Sequence, residues 1–116
     1  MRRPHLFYLF LNRFYFMNIV HDKDNHKFYT DVDGYEAYVK YDLADGGLDI
    51  RHTWVPQEIG GKGIAGALVK ATYDYALENG LTPVATCSYA VVWLQRHPEY
   101  HGKVGQDYGG EGTCAL

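Results

Sequence analysis

The residues best suited to chemistry lie in the middle of the chain. Gly60-Gly61-Lys62-Gly63-Ile64-Ala65 stands at the mouth of an amphipathic run. A helix start leaves backbone N–H groups without intrahelical partners, and the helix dipole adds about half a positive charge there. Glycines let the backbone bend sharply and approach a ligand with no side chain between. Lys62 adds a cation. This combination suits a phosphate, and a glycine-rich connection that binds nothing has the same composition. Two better-known phosphate motifs do not fit. In a Walker loop the lysine is followed by Ser or Thr, whereas Gly63 follows Lys62. Gly61, Gly63 and Gly66 satisfy the dinucleotide spacing. The strand before them sits in an antiparallel run, however, and no βαβ unit with a ribose-binding acid follows.

Other candidates flank this turn. Cys87 reads as a nucleophile at a strand end or as a small buried hydrophobe. Tyr89 reads as a proton donor or a core tyrosine, and His52 as a general base or a structural histidine on an apolar face. Glu58 reads as a solvated loop residue, and Arg96 pairs either with a phosphate or with an acid such as Glu99. His97 and His101 have a metal-type spacing, but Pro98 lies between them and no third ligand is evident, so no metal is expected.

These residues need elements to position them. Asn18 to His21 and Lys27 to Thr30 read as short strands separated by the turn Asp22 to Asn25. Tyr35, Ala37, Val39 and Tyr41 alternate along a third strand, and Ala44-Asp45-Gly46-Gly47 is a hairpin loop. Leu48 to Val55 is a fourth strand, with Leu48, Ile50, His52 and Trp54 on one face, ended by Pro56. Residues 62–79 form the helix: Ile64, Leu68, Ala71 and Tyr75 make a stripe widened by Ala65, Val69, Thr72 and Ala76. Asn79-Gly80 stops it. Thr82 to Cys87 is a strand, and Tyr89 to Gln95 a second helix ending before Pro98. The glycine-rich remainder from His101 reads as loose.

The 116 residues suffice for one domain, and 47% apolar with 22% charged residues suits a globular chain. Eleven tyrosines favour a sheet with a half-wet face. A net charge of −3 supplies no field for nucleic acid. Cys87 and Cys114 make no metal-type pair, and a reduced, cytoplasmic setting is the simpler reading. Residues 1–16 imitate a signal peptide, but the apolar run Leu6 to Leu11 is broken by Asn12 and Arg13, and it is too short to span a bilayer. Met17 is therefore expected as the natural start, with 1–16 a non-native or disordered extension, 17–104 the domain and 105–116 a flexible tail.

Val55-Pro56-Gln57-Glu58-Ile59-Gly60-Gly61-Lys62-Gly63-Ile64-Ala65 resembles the acetyl-CoA signature of the GNAT superfamily of N-acetyltransferases. Gly63 and Ala65 match its Arg/Gln-x-x-Gly-x-Gly/Ala form, while Gly60 replaces the Arg or Gln. His52-Thr53, Cys87-Ser88-Tyr89 and Arg96-His97-Pro98-Glu99-Tyr100 are similar, in order, to blocks of the small YjdJ-like N-acetyltransferase domain family. The resemblance spans roughly residues 18–104. It implies a minimal α+β GNAT-like fold, with an antiparallel-rich sheet, one long helix and one short C-terminal helix. Larger relatives insert two helices after the first strand. Only Asp22 to His26 separates the first two strands here, which implies an open acceptor site.

The implied activity is acyl-CoA-dependent N-acyl transfer, with acetyl-CoA as co-substrate and an amine of a small molecule or protein as acceptor. A non-catalytic CoA-binding module is the alternative. Donor binding is implied for the glycine turn, Gly60, Gly61, Lys62, Gly63, Ile64 and Ala65, for Ser88, and for the backbone of Thr53, Trp54 and Val55. The implied catalytic residues are Cys87, as acetyl carrier or channel lining, Tyr89 as proton donor to the leaving thiolate, and His52 as base. Neither nucleic acid nor membrane is an expected partner.

Overall fold

The computed structural model describes residues 6–11, 16–106 and 108. Seven strands form one mixed sheet in sequential order. They are β1 (Leu6–Leu11), β2 (Phe16–Asp22), β3 (Lys27–Val32), β4 (Tyr35–Ala44), β5 (Gly47–Trp54), β6 (Thr82–Ala85) and β7 (Lys103–Val104). The first five form an antiparallel meander; β6 runs parallel to β5, and β7 parallel to β6. Helix α1 (Ile64–Glu78) joins β5 to β6, and α2 (Ser88–Arg96) lies between β6 and β7. This is the expected α+β architecture with one long and one short helix.

Local turns dictate the meander. Asp33-Gly34 and Asp45-Gly46 place both residues at positive φ (53° and 86°, 53° and 76°), the conformation in which a two-residue turn matches strand twist. Between β2 and β3 there is only a single 3-10 turn, Lys23–Asn25, with the Asp22 carboxylate accepting from the Asn25 amide. No helix interrupts the first pair of hairpin strands after β2, as the short spacing required.

The core lies between the sheet and α1. Phe28, Ala37, Val39, Leu48 and Ile50 meet Leu68, Val69, Ala71 and Ala76, all fully buried. Each large side chain so buried contributes about 1.5–3 kcal/mol. The expected stripe of α1 is buried except Ala65, which is half-buried. Tyr73, outside that stripe, is fully buried as well. Its hydroxyl donates to the Val84 carbonyl at 2.6 Å and its ring meets Trp93 at 5.8 Å, so β6 and α2 cover a flank that a helix lying on a sheet alone would leave wet. Buried His21 stacks on Phe28 at 4.0 Å, and its Nε2 lies 2.6 Å from the Tyr41 hydroxyl.

Strand β5 departs from simple alternation. Lys40 faces His52 while Tyr41 faces Ile50, so Arg51 is an extra residue in the ladder. Such a bulge reverses the faces beyond it. Leu48 and Ile50 point to the core, and then Thr53 does, fully buried. His52 and Trp54 therefore lie on the opposite face, not with Leu48 and Ile50 as continuous alternation suggests.

Residues 6–11, read as part of an extension, pair with β2 from Leu6↔His21 to Leu11↔Phe16; residues 1–5 and 12–15 lie outside the described residues. Lys103 and Val104, read as part of the loose remainder, add β7. Gly102 and Gly105 bring this segment onto Leu94 and Thr86 with no room for a Cβ, and the Gly105 amide donates to the Ala85 carbonyl at 2.7 Å. Asp107 and residues 109–116 lie outside the described residues.

Candidate active site

The parallel pair β5–β6 is short. Gly47 to Ile50 pair with Thr82 to Ala85, and the ladder ends where the Ile50 carbonyl accepts from both Thr86 N–H (3.0 Å) and Cys87 N–H (3.2 Å). Beyond this point β5 continues to Trp54 while the other chain turns into α2. The two strands thus part, and the bulge at Arg51 lies just past the last paired residue. A cleft of about 720 Å³ opens beyond the parting strands. Trp54, Val55 and Tyr89 border it, Ile59 and Ile64 give it apolar walls, and the glycine turn forms its rim.

The rim follows from backbone conformation. Gly61 and Gly63 both have φ 76°, a left-handed conformation that an L side chain strains. Gly63 is the N-cap of α1 and has no side chain to accept from the first-turn amides. The N–H-rich helix start therefore meets the cleft uncapped by its own N-cap residue. Gly60 differs, with φ −71° and ψ 163°, which any residue adopts.

Of the sequence-derived candidates, Trp54, Val55, Gly60, Gly61, Gly63, Ile64, Ala65 and Tyr89 line the cleft. Lys62 is exposed within the rim, and Ser88 is half-buried in the first turn of α2. Thr53 and Cys87 are fully buried, with Thr53 Oγ1 3.3 Å from Cys87 Sγ; this contact spans the parted strands on the core side. Cys87 thus packs behind the cleft and does not line it. His52 does not line it either; its half-buried ring lies 5.8 Å from Tyr38 on the open face. His97 stacks on Trp93 at 3.9 Å, with Nδ1 2.8 Å from the Trp93 carbonyl. Pro98 then opens a separate 3-10 turn ending before His101, so the two histidines do not share a helix face.

Gln57, Ile59 and Gly66 also line the cleft, and sequence reasoning did not select them. A signal existed for Gly66: it stands three residues, about one helical turn, after Gly63. A Cβ there would meet the Tyr89 hydroxyl at 3.4 Å, so glycine lets that phenol approach the first turn of α1. Burial raises the Tyr89 phenol above its ordinary value; the Arg96 guanidinium draws it back and Cys87 adds to the rise. At neutral pH Tyr89 is a protonated donor facing the cleft.

Comparison with known proteins agrees with this geometry. Residues 27–112 match the family described as GCN5-related N-acetyl-transferase. Protein NATD1 of Danio rerio is 30% identical over 89 residues, covering 72% of this chain and 81% of that protein. Protein NATD1 of Homo sapiens is 29% identical over 85 residues, covering 71% and 75%. A GCN5-like protein of Staphylococcus aureus, solved by NMR, superposes with a TM-score of 0.56 at 32% identity, covering 75% of this chain and 89% of that one. With an uncapped glycine start on the helix after β5, a cleft where β5 and β6 part, and a family match over most of its length, the chain belongs to the GCN5-related N-acetyltransferase family.

Proposed function

We propose that the cleft binds acetyl-CoA and that the chain transfers its acetyl group to an amine. The observation that carries this reading is the continuity of the cleft, from the glycine start of α1, past Tyr89, to Trp54 and Val55 where β5 leaves β6. The residues present fit the donor. Backbone N–H groups of the rim, with Lys62, suit a pyrophosphate. Val55, Ile59 and Ile64 offer apolar walls for the pantetheine arm, and about 720 Å³ is ample for that part of the ligand. When bound, the thioester supplies an activated acetyl group.

In this reading backbone N–H groups of Thr53 to Val55 polarise the thioester carbonyl. The amine nitrogen bonds to the carbonyl carbon and the carbon–sulfur bond breaks. Tyr89 donates its proton to the departing sulfur. His52, on the open face, receives the proton that the amine loses. Cys87 lies behind the cleft on Thr53, which favours direct transfer over an acetyl-cysteine. A cytoplasmic setting is proposed with this reading, as the simpler one for a chain with two cysteines that make no metal-type pair; no described helix is long and apolar enough to cross a membrane.

Free-thiol release from acetyl-CoA, measured across a panel of amines, tests the activity. Release above the rate without amine supports it, and none with any amine removes it. The second reading, a CoA-binding module without catalysis, draws support from Gly60, where the signature carries Arg or Gln. Binding of CoA with no thiol release on any amine selects that reading.

A further inference from the structure

The bulge at Arg51 has a second effect, on the sheet face turned away from α1. It sets Trp54 opposite Tyr38, and Tyr38 faces Tyr29 on β3. These three side chains form one row across β3, β4 and β5, ending at Trp54 on the rim of the cleft. In the next row along the strands Lys27 faces Lys40, and Lys40 faces His52. Like charges directly opposite repel, and Lys27 turns away. Its Nζ lies 3.4 Å from Glu36 and over the Tyr29 and Tyr38 rings at 5.2 and 5.5 Å. Lys40 stays exposed, with no ion pair to any described residue. Helix α1 packs on the other face, so no described helix covers these rows.

Resting on the acyltransferase reading, we propose that this face is the acceptor site, and that it takes a primary amine carrying a planar ring and a carboxylate, as an aromatic α-amino acid does. The ring lies on Tyr38 and the carboxylate meets Lys40. The amine then falls on β5 between His52 and Trp54, where the strands part. The separations agree, since neighbouring strands lie about 4.8 Å apart, the span of such a molecule. Charge complementarity sets the choice of occupant: Lys27 is paired to Glu36 and Asp42 to Arg51, which leaves Lys40 as the cation beside the ring row that can meet a carboxylate.

Binding of L-phenylalanine, its amide, glutamate and spermidine to the full chain, followed by NMR titration, tests this. Phenylalanine should bind tighter than its amide by about threefold, as one exposed ion pair allows, and tighter than glutamate by about fivefold, as a stacked ring allows. Lys40→Ala should erase the difference between acid and amide. Tyr38→Ala should weaken both ring compounds, and Tyr38→Phe, which keeps the ring and the packing, should not. Spermidine binding as tightly as phenylalanine, or Lys40→Ala leaving the acid preference intact, overturns the proposal. So does self-association that broadens the Tyr38 and His52 signals as protein concentration rises without ligand, because a second copy then covers the face. A thermal shift with CoA, run alongside, separates the two readings: acceptor binding without a CoA shift sinks the donor site and leaves the face standing, and the reverse sinks only the acceptor class.

Discussion

Gly60 and Gly61 are adjacent glycines with different reasons for their size. Gly61, at φ 76°, is held to glycine by its backbone, and a Cβ there costs about 1 kcal/mol in strain. Gly60 has an ordinary extended backbone, and a Cβ would meet the Gln57 carbonyl oxygen at 3.4 Å and the Pro56 carbonyl oxygen at 4.0 Å. Gly60→Arg should therefore fold normally and add a guanidinium to the proposed pyrophosphate site. One charge-assisted hydrogen bond of about 1.5 kcal/mol would tighten CoA roughly tenfold, read from the CoA dependence of the melting temperature. Gly61→Ala should lower stability by about 1 kcal/mol and weaken CoA binding together. Tyr89 makes a separate prediction. Because burial raises its phenol, the donor form persists through neutral pH and is lost only as pH climbs past the ordinary tyrosine range near 10. Thiol release should fall on that alkaline side, and Tyr89→Phe should lower kcat at least 100-fold while leaving the CoA melting shift unchanged. Equal kcat in the variant removes Tyr89 from the proton transfer.

Elements explain which of these features were legible in the sequence. The β4 alternation of Tyr35, Ala37, Val39 and Tyr41 identifies the inner face from Ala37 on, because β4 itself carries no extra residue, while Tyr35 at the strand start is exposed. On β5 the same rule fails at Arg51, where two residues share one partner. Nothing in Ile50-Arg51-His52 marks a bulge by residue type, so the inward turn of Thr53 and the outward turn of His52 and Trp54 were hidden. The glycine rim was legible because positive φ and helix N-termini leave composition signals. Burial of Tyr73 and pairing of Lys103–Val104 were not, since both depend on segments remote in sequence. Tyr73 illustrates the consequence. Its phenol is pushed well above the ordinary value, first by burial and then by the charges of Asp49 and Cys87. A folded-state value above the unfolded one stabilises the protein below about pH 10 and is lost as pH rises through the folded value. Tyr73→Phe loses the bond to Val84, about 1 kcal/mol at neutral pH, and should flatten the fall of melting temperature above pH 10. An unchanged alkaline slope would show that other groups set it.

For the whole molecule, the cleft is where three elements meet: the end of β5, the start of α1 and the start of α2. They share few backbone hydrogen bonds there, because the β5–β6 ladder stops at Ile50 and Ala85. A single domain of this size has about 5–15 kcal/mol of total stability, so a ligand that ties the three together should register globally. CoA at 100 times its dissociation constant adds about 2.7 kcal/mol. At roughly 4–8 °C per kcal/mol, the melting temperature should rise by about 10 °C or more. The rise should also be local in origin. Amide exchange should slow most at Gly61 to Gly66 and around Tyr89, and least at the hairpins Asp33-Gly34 and Asp45-Gly46, which lie in other parts of the sheet. Splitting the ligand sharpens the test. An adenosine bisphosphate lacking the pantetheine arm should protect Gly61 to Gly66 alone, whereas whole CoA should extend protection to Trp54, Val55 and Tyr89. Protection by CoA at the hairpins instead, with none at the glycine rim, would place the donor elsewhere and undo the assignment of the cleft.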